Sequence, residues 1–439
     1  MLKIDNFFKS GHHNSRWFYF ILFFVVVILT NVRQKMITNF NCEICSDKAG
    51  YYMYLPAFFQ LGFNAKNYPE GFDSQHGDGF HIDKQKDKVL TKFTCGVALL
   101  LSPFYVLGIM VAKIFSIEVS PYSKYYLFFI NLGAAFYLVT GLFYLRRWLN
   151  FYVDSISSFW TILVIFFGTN LFYYTLDESL MSHLYSFSLF SILLFSLKSF
   201  FETDKFKHFI VFIISLSLAI LIRPTNVLFV VIALLTDVNS IETLINKLRQ
   251  LLKPKYFFSG LFMFLLIISP QLIYWNFAFG KYLVWSYTGE GFTLWNNPEF
   301  LIVWFSPQSG LFTYTPIILL SLIFSVIMLF KKEPNAILVM FSFLLVSYMC
   351  ASWYNPLFGI CNFGKRPMIE YFPIIMLPIS YMFSRYNSYQ KTLKWVILIS
   401  VILFVFYNQA LFGGFNTCFF GQTWEWEKFG LLLKKSITI

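Results

Sequence analysis

The chain has 439 residues, of which 57% are hydrophobic and only 13% are charged, and its formal net charge is +12. Soluble domains carry about a quarter charged residues, so this composition excludes an ordinary soluble protein and predicts an integral membrane protein. The positive charge does not predict nucleic-acid binding, because the basic residues stand in short clusters between apolar runs. We therefore expect the lipid bilayer as a partner and no nucleic acid.

The apolar runs are continuous rather than alternating, which is typical of membrane-spanning helices and not of β-barrel strands. Since a spanning helix needs roughly 20 apolar residues, the sequence predicts an all-α, polytopic transmembrane helix bundle of about eleven spans. Residues 1–439 are expected to form a single transmembrane domain, because no soluble domain or internal repeat separates the runs. The predicted spans are 17–36, 124–145, 156–174, 182–200, 208–224, 226–236, 256–278, 311–330, 335–352, 369–384 and 395–412.

Basic loops orient the predicted bundle. With the N-terminus inside, every second loop carries a basic cluster, as at 146–147 and 331–332. Arg33, at the far end of the first span, counts against this start. The orientation places residues 38–123 outside, as a large first outer loop.

One run in that outer loop is ambiguous. Residues 97–115 are long enough to cross the membrane, but Ser102-Pro103 interrupts the apolar run and Lys113 closes it. Counting the run as a span would turn every later basic loop outward. We therefore expect interfacial helices in the first outer loop rather than another span.

Two acidic positions are expected at this outer face. Asp47 follows the first span, and Asp177 and Glu178 follow a much later apolar run. Taken singly, Asp47 fits an N-cap for a helix beginning near Ala49, and Asp177-Glu178 fit the acidic first turn of the next helix. Taken together at one membrane face, these carboxylates are the minimum set of groups needed for general-base chemistry on a lipid-borne substrate.

Two arginines are candidate ligands of an anionic group. Arg223 ends one apolar run and precedes another. A snorkelling interfacial anchor would account for it, but a guanidinium fork suits a phosphate or carboxylate better. Arg366 and Glu370 are four residues apart, so we expect them to share a helix face, and a simple ion pair is the alternative to a functional role.

Metal and redox chemistry are only weakly indicated. Cys42 and Cys45 form a CxxC pair, but all six cysteines are expected at or near the oxidising outer face, where a structural disulfide or free apolar thiols are favoured. The stretch from His76 to Asp83 contains metal-compatible residue types, yet it is as polar as any solvated loop. The sequence therefore leaves open whether the protein binds a metal. The candidate cofactor is a divalent ion.

Several segments carry a family resemblance. They are Asp47, Lys92 with the run 96–115, Leu176-Asp177-Glu178, Arg223, and the late segments 306–316 and 353–366. This arrangement resembles the GT-C superfamily of polyprenyl-phosphate-sugar-dependent glycosyltransferases, which includes protein O-mannosyltransferases and lipid A aminoarabinose transferases. Its members have an acidic residue early in a large first outer loop, then interfacial helices, then a second acidic residue where the third span emerges. The usual acidic pair of the first loop is Asp47-Lys48 here.

The resemblance implies an enzyme of the bacterial inner membrane with its active site at the periplasmic, outer face. It would transfer a sugar from a polyprenyl-phosphate donor to a glycan, lipid or protein acceptor, with inversion at the anomeric carbon. Asp47 is expected to be the base, while Asp177 and Glu178 orient the acceptor, share the base's role or hold a divalent ion. The donor-phosphate ligands that it implies are Lys92, Arg223 and Arg366.

Two other classes stay open. An O-antigen ligase or polymerase would also use a lipid-linked sugar, but its catalytic loop is expected late in the chain, whereas the largest outer loop here is the first. A transporter or flippase for lipid-linked glycans commonly shows internal repeats and ionisable residues near the bilayer midplane. The sequence has no repeat, and its acidic residues fall at the ends of predicted spans.

Overall fold

The computed structural model describes residues 13–36, 44–77, 79–359, 362–415 and 423–438. The structure is mostly helical (72%), and within these ranges the only sheet is a two-stranded antiparallel hairpin. The predicted helical class is therefore confirmed.

The chain divides into two compact units, each assembled from separate stretches of the sequence. The first unit comprises residues 1–141, 175–230 and 248–289, and the second comprises 142–174, 231–247 and 290–439. A single transmembrane domain over the whole chain stays a prediction.

The elements follow one another along the chain as helices, interrupted once by the hairpin. The helices are α1 (His13–Met36), α2 (Asp47–Tyr52), α3 (Tyr54–Pro56), α4 (Phe72–Gln75), α5 (Gly96–Ile114), α6 (Lys124–Leu149), α7 (Ser155–Phe167), α8 (Leu171–Leu176), α9 (Ser182–Thr203), α10 (Phe206–Ile222), α11 (Leu228–Leu235), α12 (Ile241–Leu251), α13 (Pro254–Phe279), α14 (Phe300–Phe305), α15 (Leu311–Tyr314), α16 (Ile317–Phe330), α17 (Ala336–Ala351), α18 (Phe372–Ile375), α19 (Leu377–Ser384), α20 (Lys391–Gly414) and α21 (Trp426–Thr438). The strands are β1 (His81–Asp83) and β2 (Lys88–Leu90), with Ile82 opposite Val89. Short 3₁₀ helices span Ala65–Asn67, Pro224–Val227, Arg366–Tyr371 and Tyr386–Ser388, and a π-helix spans Ala57–Leu61.

Six helices of the described chain are long and apolar enough to cross a membrane: α1, α5, α6, α9, α13 and α20. Five of them coincide with predicted spans, and α5 is the run that the sequence analysis assigned to the interface. The other six predicted spans fall on shorter apolar helices, or on a segment broken by Pro373 and Pro378 into α18 and α19. The eleven-span count and the interfacial position of α5 stay predictions.

Helix α5 continues through Ser102 and Pro103, the residues that interrupt the apolar run in the sequence. Proline has no N–H, so the carbonyl of Leu99 loses its usual helical donor at position 103. The Ser102 hydroxyl donates to that carbonyl at 2.8 Å instead. The same arrangement recurs in α13, where the Ser269 hydroxyl donates to Leu266 ahead of Pro270 at 2.8 Å.

In the first unit, α9 is buried along nearly its whole length and packs against α10. Small residues let its neighbours approach closely: a Cβ added at Gly141 of α6 would lie 2.9 Å from the Cα of Ser188. Farther along α9, Phe190 stacks on Phe229 with ring centroids 3.6 Å apart. Helix α9 is therefore closely packed against its neighbours within the first unit.

Candidate functional site

The acidic pair Asp177-Glu178 lies in the non-helical segment that precedes α9. Helix α9 begins only at Ser182, and its first turn contains no acidic residue. The alternative that Asp177 and Glu178 form an acidic first turn is therefore wrong. Both side chains instead make ion pairs with residues far away in the sequence.

Asp177 pairs with Arg33 at the end of α1. The Arg33 Nε lies 3.2 Å from Oδ1 and 3.3 Å from Oδ2 of the carboxylate, and the Asp177 side chain is only 4% exposed. Burial raises the pKa of the Asp177 carboxyl to about 6, although the nearby Arg33 guanidinium opposes that rise. Arg33 counted against the predicted orientation, and this pairing gives it a counter-charge within the fold.

A chain of polar side chains runs beside this pair. The Ser179 hydroxyl donates to Asn131 Oδ1 at 2.7 Å, and Asn131 Nδ2 donates to Asn31 Oδ1 at 3.2 Å. The Tyr185 hydroxyl closes the turn by donating to the Ser179 carbonyl at 2.6 Å. These bonds connect α1 and α6 to the segment that carries Asp177.

Glu178 pairs with Lys48, the second residue of α2. The Lys48 Nζ lies 3.2 Å from Oε2 and 3.3 Å from Oε1, and both side chains are mostly buried. One turn further along α2, the Tyr51 hydroxyl donates to the Ser182 hydroxyl at 3.1 Å. Helix α2 is thus docked on the start of α9 by an ion pair and a hydrogen bond.

Asp47 is the first residue of α2, so it is part of the helix and not its N-cap. The N-cap position belongs to Ser46, whose side chain makes no capping bond. Asp47 is partly exposed, and its carboxylate stands at the helix end where backbone N–H groups favour negative charge. Because Lys48 contacts Glu178, the residue after Asp47 touches the residue after Asp177.

Arg223 also reaches the first turn of α9. It caps the C-terminal end of α10, and its Nη1 lies 3.2 Å from Nδ1 of the buried His183. A guanidinium can only donate, so Nδ1 of His183 is the acceptor. Asn226 fixes the following turn, since its Nδ2 donates to the Ala219 carbonyl at 2.8 Å and to Ser186 Oγ at 3.0 Å.

Lys92 lies in the segment between β2 and α5. Its Nζ is 5.4 Å from the ring centroid of Phe93 and 5.6 Å from that of Tyr287, and its carbonyl accepts from Ser286 at 2.5 Å. The Phe93 ring in turn contacts Tyr51 of α2, with centroids 4.5 Å apart. Lys92 therefore belongs to the surroundings of α2.

The same segment contacts the end of α10. The Thr94 hydroxyl donates to the carbonyl of Ile222, the residue before Arg223, at 2.9 Å. Thr91 Oγ lies 3.1 Å from the Gly79 carbonyl and 3.4 Å from that of Gly50. Asp47, Lys92, Asp177, Glu178 and Arg223 are thus connected through a short series of contacts within the first unit.

Arg366 belongs to the second unit. It opens the 3₁₀ helix Arg366–Tyr371, where Glu370 is buried. A 3₁₀ helix has about three residues per turn, so positions four apart point in directions about 120° apart. The expectation that Arg366 and Glu370 share one helix face is therefore wrong, because it assumed an α-helix.

In the stretch from His76 to Asp83, both histidine rings contact oxygen atoms of neighbouring residues. His76 Nδ1 lies 3.0 Å from the Ile44 carbonyl, and His81 Nδ1 lies 3.2 Å from Asp73 Oδ2. Across the described residues, no group of three or more His, Cys, Asp or Glu side chains is placed to hold a metal ion. Asp78 lies outside the described residues.

The described cysteines fit the structural alternative. Cys45 is disulfide-bonded, and Cys95 and Cys350 are buried free thiols. The remaining cysteines, Cys42, Cys361 and Cys418, lie outside the described residues.

Three residues of the site were not recognised from the sequence: Arg33, Lys48 and His183. Arg33 offered a signal, since an arginine at the wrong end of a span is costly unless an acidic group pairs with it. Lys48 and His183 offered none, because their roles depend on tertiary contacts. No family model, curated protein or solved structure matches the chain.

Proposed function

We propose that the protein is a membrane-embedded glycosyltransferase that moves a sugar from a polyprenyl-phosphate donor to an acceptor hydroxyl at the outer face of the membrane. The observation that supports it is the docking of α2, which starts with Asp47, on the segment of Asp177 and Glu178. A partly exposed carboxylate, two further acidic residues and nearby cationic side chains are the groups that this transfer needs.

Asp47 is the base in this proposal. An acceptor hydroxyl is a poor nucleophile until a positioned carboxylate takes its proton. Asp177 is buried against Arg33, and Glu178 is paired with Lys48, whereas Asp47 is partly exposed at the helix end. Asp177 and Glu178 then hold α1 and α2 in position and orient the acceptor.

Arg223 and Lys92 are the ligands of the donor phosphate in the first unit. The acceptor oxygen attacks the anomeric carbon, its proton passes to Asp47, and the bond from that carbon to the phosphate oxygen breaks. The second pKa of a phosphate monoester is about 6, so the leaving group departs without a general acid and needs only nearby cations. One direct displacement inverts the anomeric carbon.

The test is transfer from a panel of polyprenyl-phosphate sugars by the purified full-length protein, reconstituted in lipid vesicles. We expect the wild-type protein to release polyprenyl phosphate from at least one donor when acceptors are present. Asp47→Asn should remain folded, because the amide is nearly isosteric with the carboxylate, and should lose activity by about a hundredfold or more.

Asp87→Asn is the matched control. Asp87 lies in the turn of the hairpin with a positive φ of 51°, a backbone conformation that asparagine adopts readily. This variant should retain wild-type activity. A wild-type protein without turnover on any donor would contradict the proposed function, and an active Asp47→Asn would move the base to Asp177 or Glu178.

A further inference from the structure

A second polar cluster lies in the second unit, where the late segments 306–316 and 353–366 meet. Lys365 connects them: its Nζ donates to the Pro356 carbonyl at 2.5 Å and to Ser309 Oγ at 3.2 Å. The Ser309 hydroxyl also contacts the Leu357 carbonyl at 3.3 Å. Both segments were singled out in the sequence, and neither takes part in the transfer proposed above.

Lys365 is a buried lysine that has no acidic partner among the described side chains. Its side chain is fully buried, and both of its hydrogen-bond acceptors are neutral. Within the part of the chain that the structure describes, no carboxylate forms an ion pair with it. Burial lowers the pKa of Lys365 to about 7, and neighbouring Arg366 adds to this, whereas Cys350 opposes it. Buried ammonium groups are ordinarily paired with an anion.

Buried amides beside these segments have hydrogen-bonding capacity to spare. Gln308, next to Ser309, is fully buried, and neither its Nε2 nor its Oε1 has a hydrogen-bond partner in the described structure. Asn170 donates from Nδ2 to the Phe363 carbonyl at 3.2 Å, but its Oδ1 has no partner there. Each of these buried polar atoms needs a partner that the described side chains do not supply.

The backbone around Lys365 is strained. Phe358 has a φ of +60°, which is unfavourable for a bulky side chain. Three carbonyls of this turn, from Leu357 to Gly359, accept hydrogen bonds from Asn362 Nδ2 at 2.8–3.1 Å. The conformation places the Phe358 ring centroid 5.6 Å from the Lys365 Nζ. Strain that the surrounding bonds maintain is typical of ligand-binding sites.

We propose that Lys365 and Gln308 form a binding site for a phosphate group, either inorganic or carried by a lipid. A phosphate supplies the missing counter-charge for the ammonium group. Its several acceptor oxygens also give the Gln308 Nε2 and the remaining Lys365 N–H a partner each. The site rests on contacts within the second unit alone, so it does not depend on the proposed transferase activity.

The experiment measures phosphate binding by the full-length protein in zwitterionic lipid nanodiscs, using calorimetric titration with inorganic phosphate. A parallel sample carries polyprenyl phosphate in the bilayer. We expect saturable binding to the wild-type protein and a loss of about tenfold or more in affinity in Lys365→Met. Lys331→Met, which changes an exposed lysine of the same unit, should bind phosphate as the wild type does.

Gln308→Leu separates a binding role from a structural one. Replacing an unpartnered buried amide by an apolar side chain of similar size should keep or raise thermal stability, so this variant is expected to fold. Under the proposal its phosphate affinity falls, also by about tenfold. Binding of only one of the two phosphate sources, with the same dependence on Lys365 and Gln308, would identify the natural form.

Two results would overturn the phosphate site. One is the absence of saturable binding of either phosphate source to the wild-type protein. The other is binding that Lys365→Met and Gln308→Leu leave unchanged, which would locate the phosphate elsewhere and leave Lys365 as a link between the two segments.

Discussion

Lys48 Nζ lies 3.2 Å from Glu178 Oε2, a contact that joins residues 130 positions apart in the sequence. Both side chains are mostly buried, at 19% and 14% exposure. The pair fixes the short helix α2, which has only six residues and would not be stable alone. The position of Asp47 therefore depends on this contact.

We expect a double-mutant cycle of Lys48→Met and Glu178→Gln to give a coupling of about 1 kcal/mol in the free energy of unfolding in mixed micelles. The exposed pair Lys66–Asp87, with its atoms 3.8 Å apart, should show no measurable coupling, since solvent screens it. Additive effects at Lys48 and Glu178 would mean that other contacts hold α2.

The pH dependence of activity should report the state of Asp177. Its pKa is raised to about 6 by burial, so the carboxyl is ionised and paired with Arg33 above that pH and neutral below it. We expect transfer activity to fall as the pH decreases through about 6. The pH profiles of kcat/KM for wild type and variants are the measurement.

The fall in activity at low pH is the acidic limb of the pH profile. Arg33→Met should move this acidic limb to higher pH, because the guanidinium opposes the rise in the pKa of Asp177. Arg16→Met, at the opposite end of α1, is the matched control and should leave the limb in place. An unchanged profile in Arg33→Met would assign the limb to another group.

Arg223 is expected to bind the donor phosphate from the position that His183 gives it. Arg223→Lys keeps the charge but loses the planar fork, so it should weaken donor binding, and Arg223→Ala should weaken it further, by about 2 kcal/mol or more. Binding of a labelled polyprenyl-phosphate sugar measures both. Equal affinity in Arg223→Ala and the wild type would leave Arg223 as an interfacial anchor, with Lys92 as the next candidate.

The predicted orientation can be tested by labelling single introduced cysteines with a membrane-impermeant maleimide in intact cells. Gln85→Cys, exposed at the tip of the hairpin, should be labelled above the background of the native cysteines. Lys331→Cys, between α16 and α17, should be labelled only after the cells are opened. The reverse pattern would place the first loop inside and separate Asp47 from the outer face.

The helices were largely predictable, because continuous apolar runs determine where helices form in a membrane protein. The positions where helices begin, end or continue through a proline were harder to predict. The sequence suggested a new helix at Asp177, where the chain stays irregular up to Met181, and it gave no sign that Ser102 compensates the hydrogen bond lost at Pro103. Both depend on local hydrogen bonds that composition does not reveal.

The sequence predicted the residues of the candidate site better than it predicted the contacts between them. Asp47 and Asp177 were expected on one face, and the structure connects their segments through Lys48 and Glu178. The partners of the acids were not foreseen, because pairing across more than a hundred residues requires the tertiary fold. The spacing of residues in the sequence also gave no indication that Arg366 lies in a separate unit.

The pairing of Arg33 with Asp177 also bears on how the chain is made. The two residues are 144 positions apart, and a ribosome adding about 5–20 residues per second needs roughly seven to thirty seconds to cover that distance. During this interval α1 has an arginine at its end with no Asp177 to neutralise it. The contact between the end of α1 and the segment before α9 can therefore form only after that segment has been made, so the packing of the first helix is completed at a much later stage of translation.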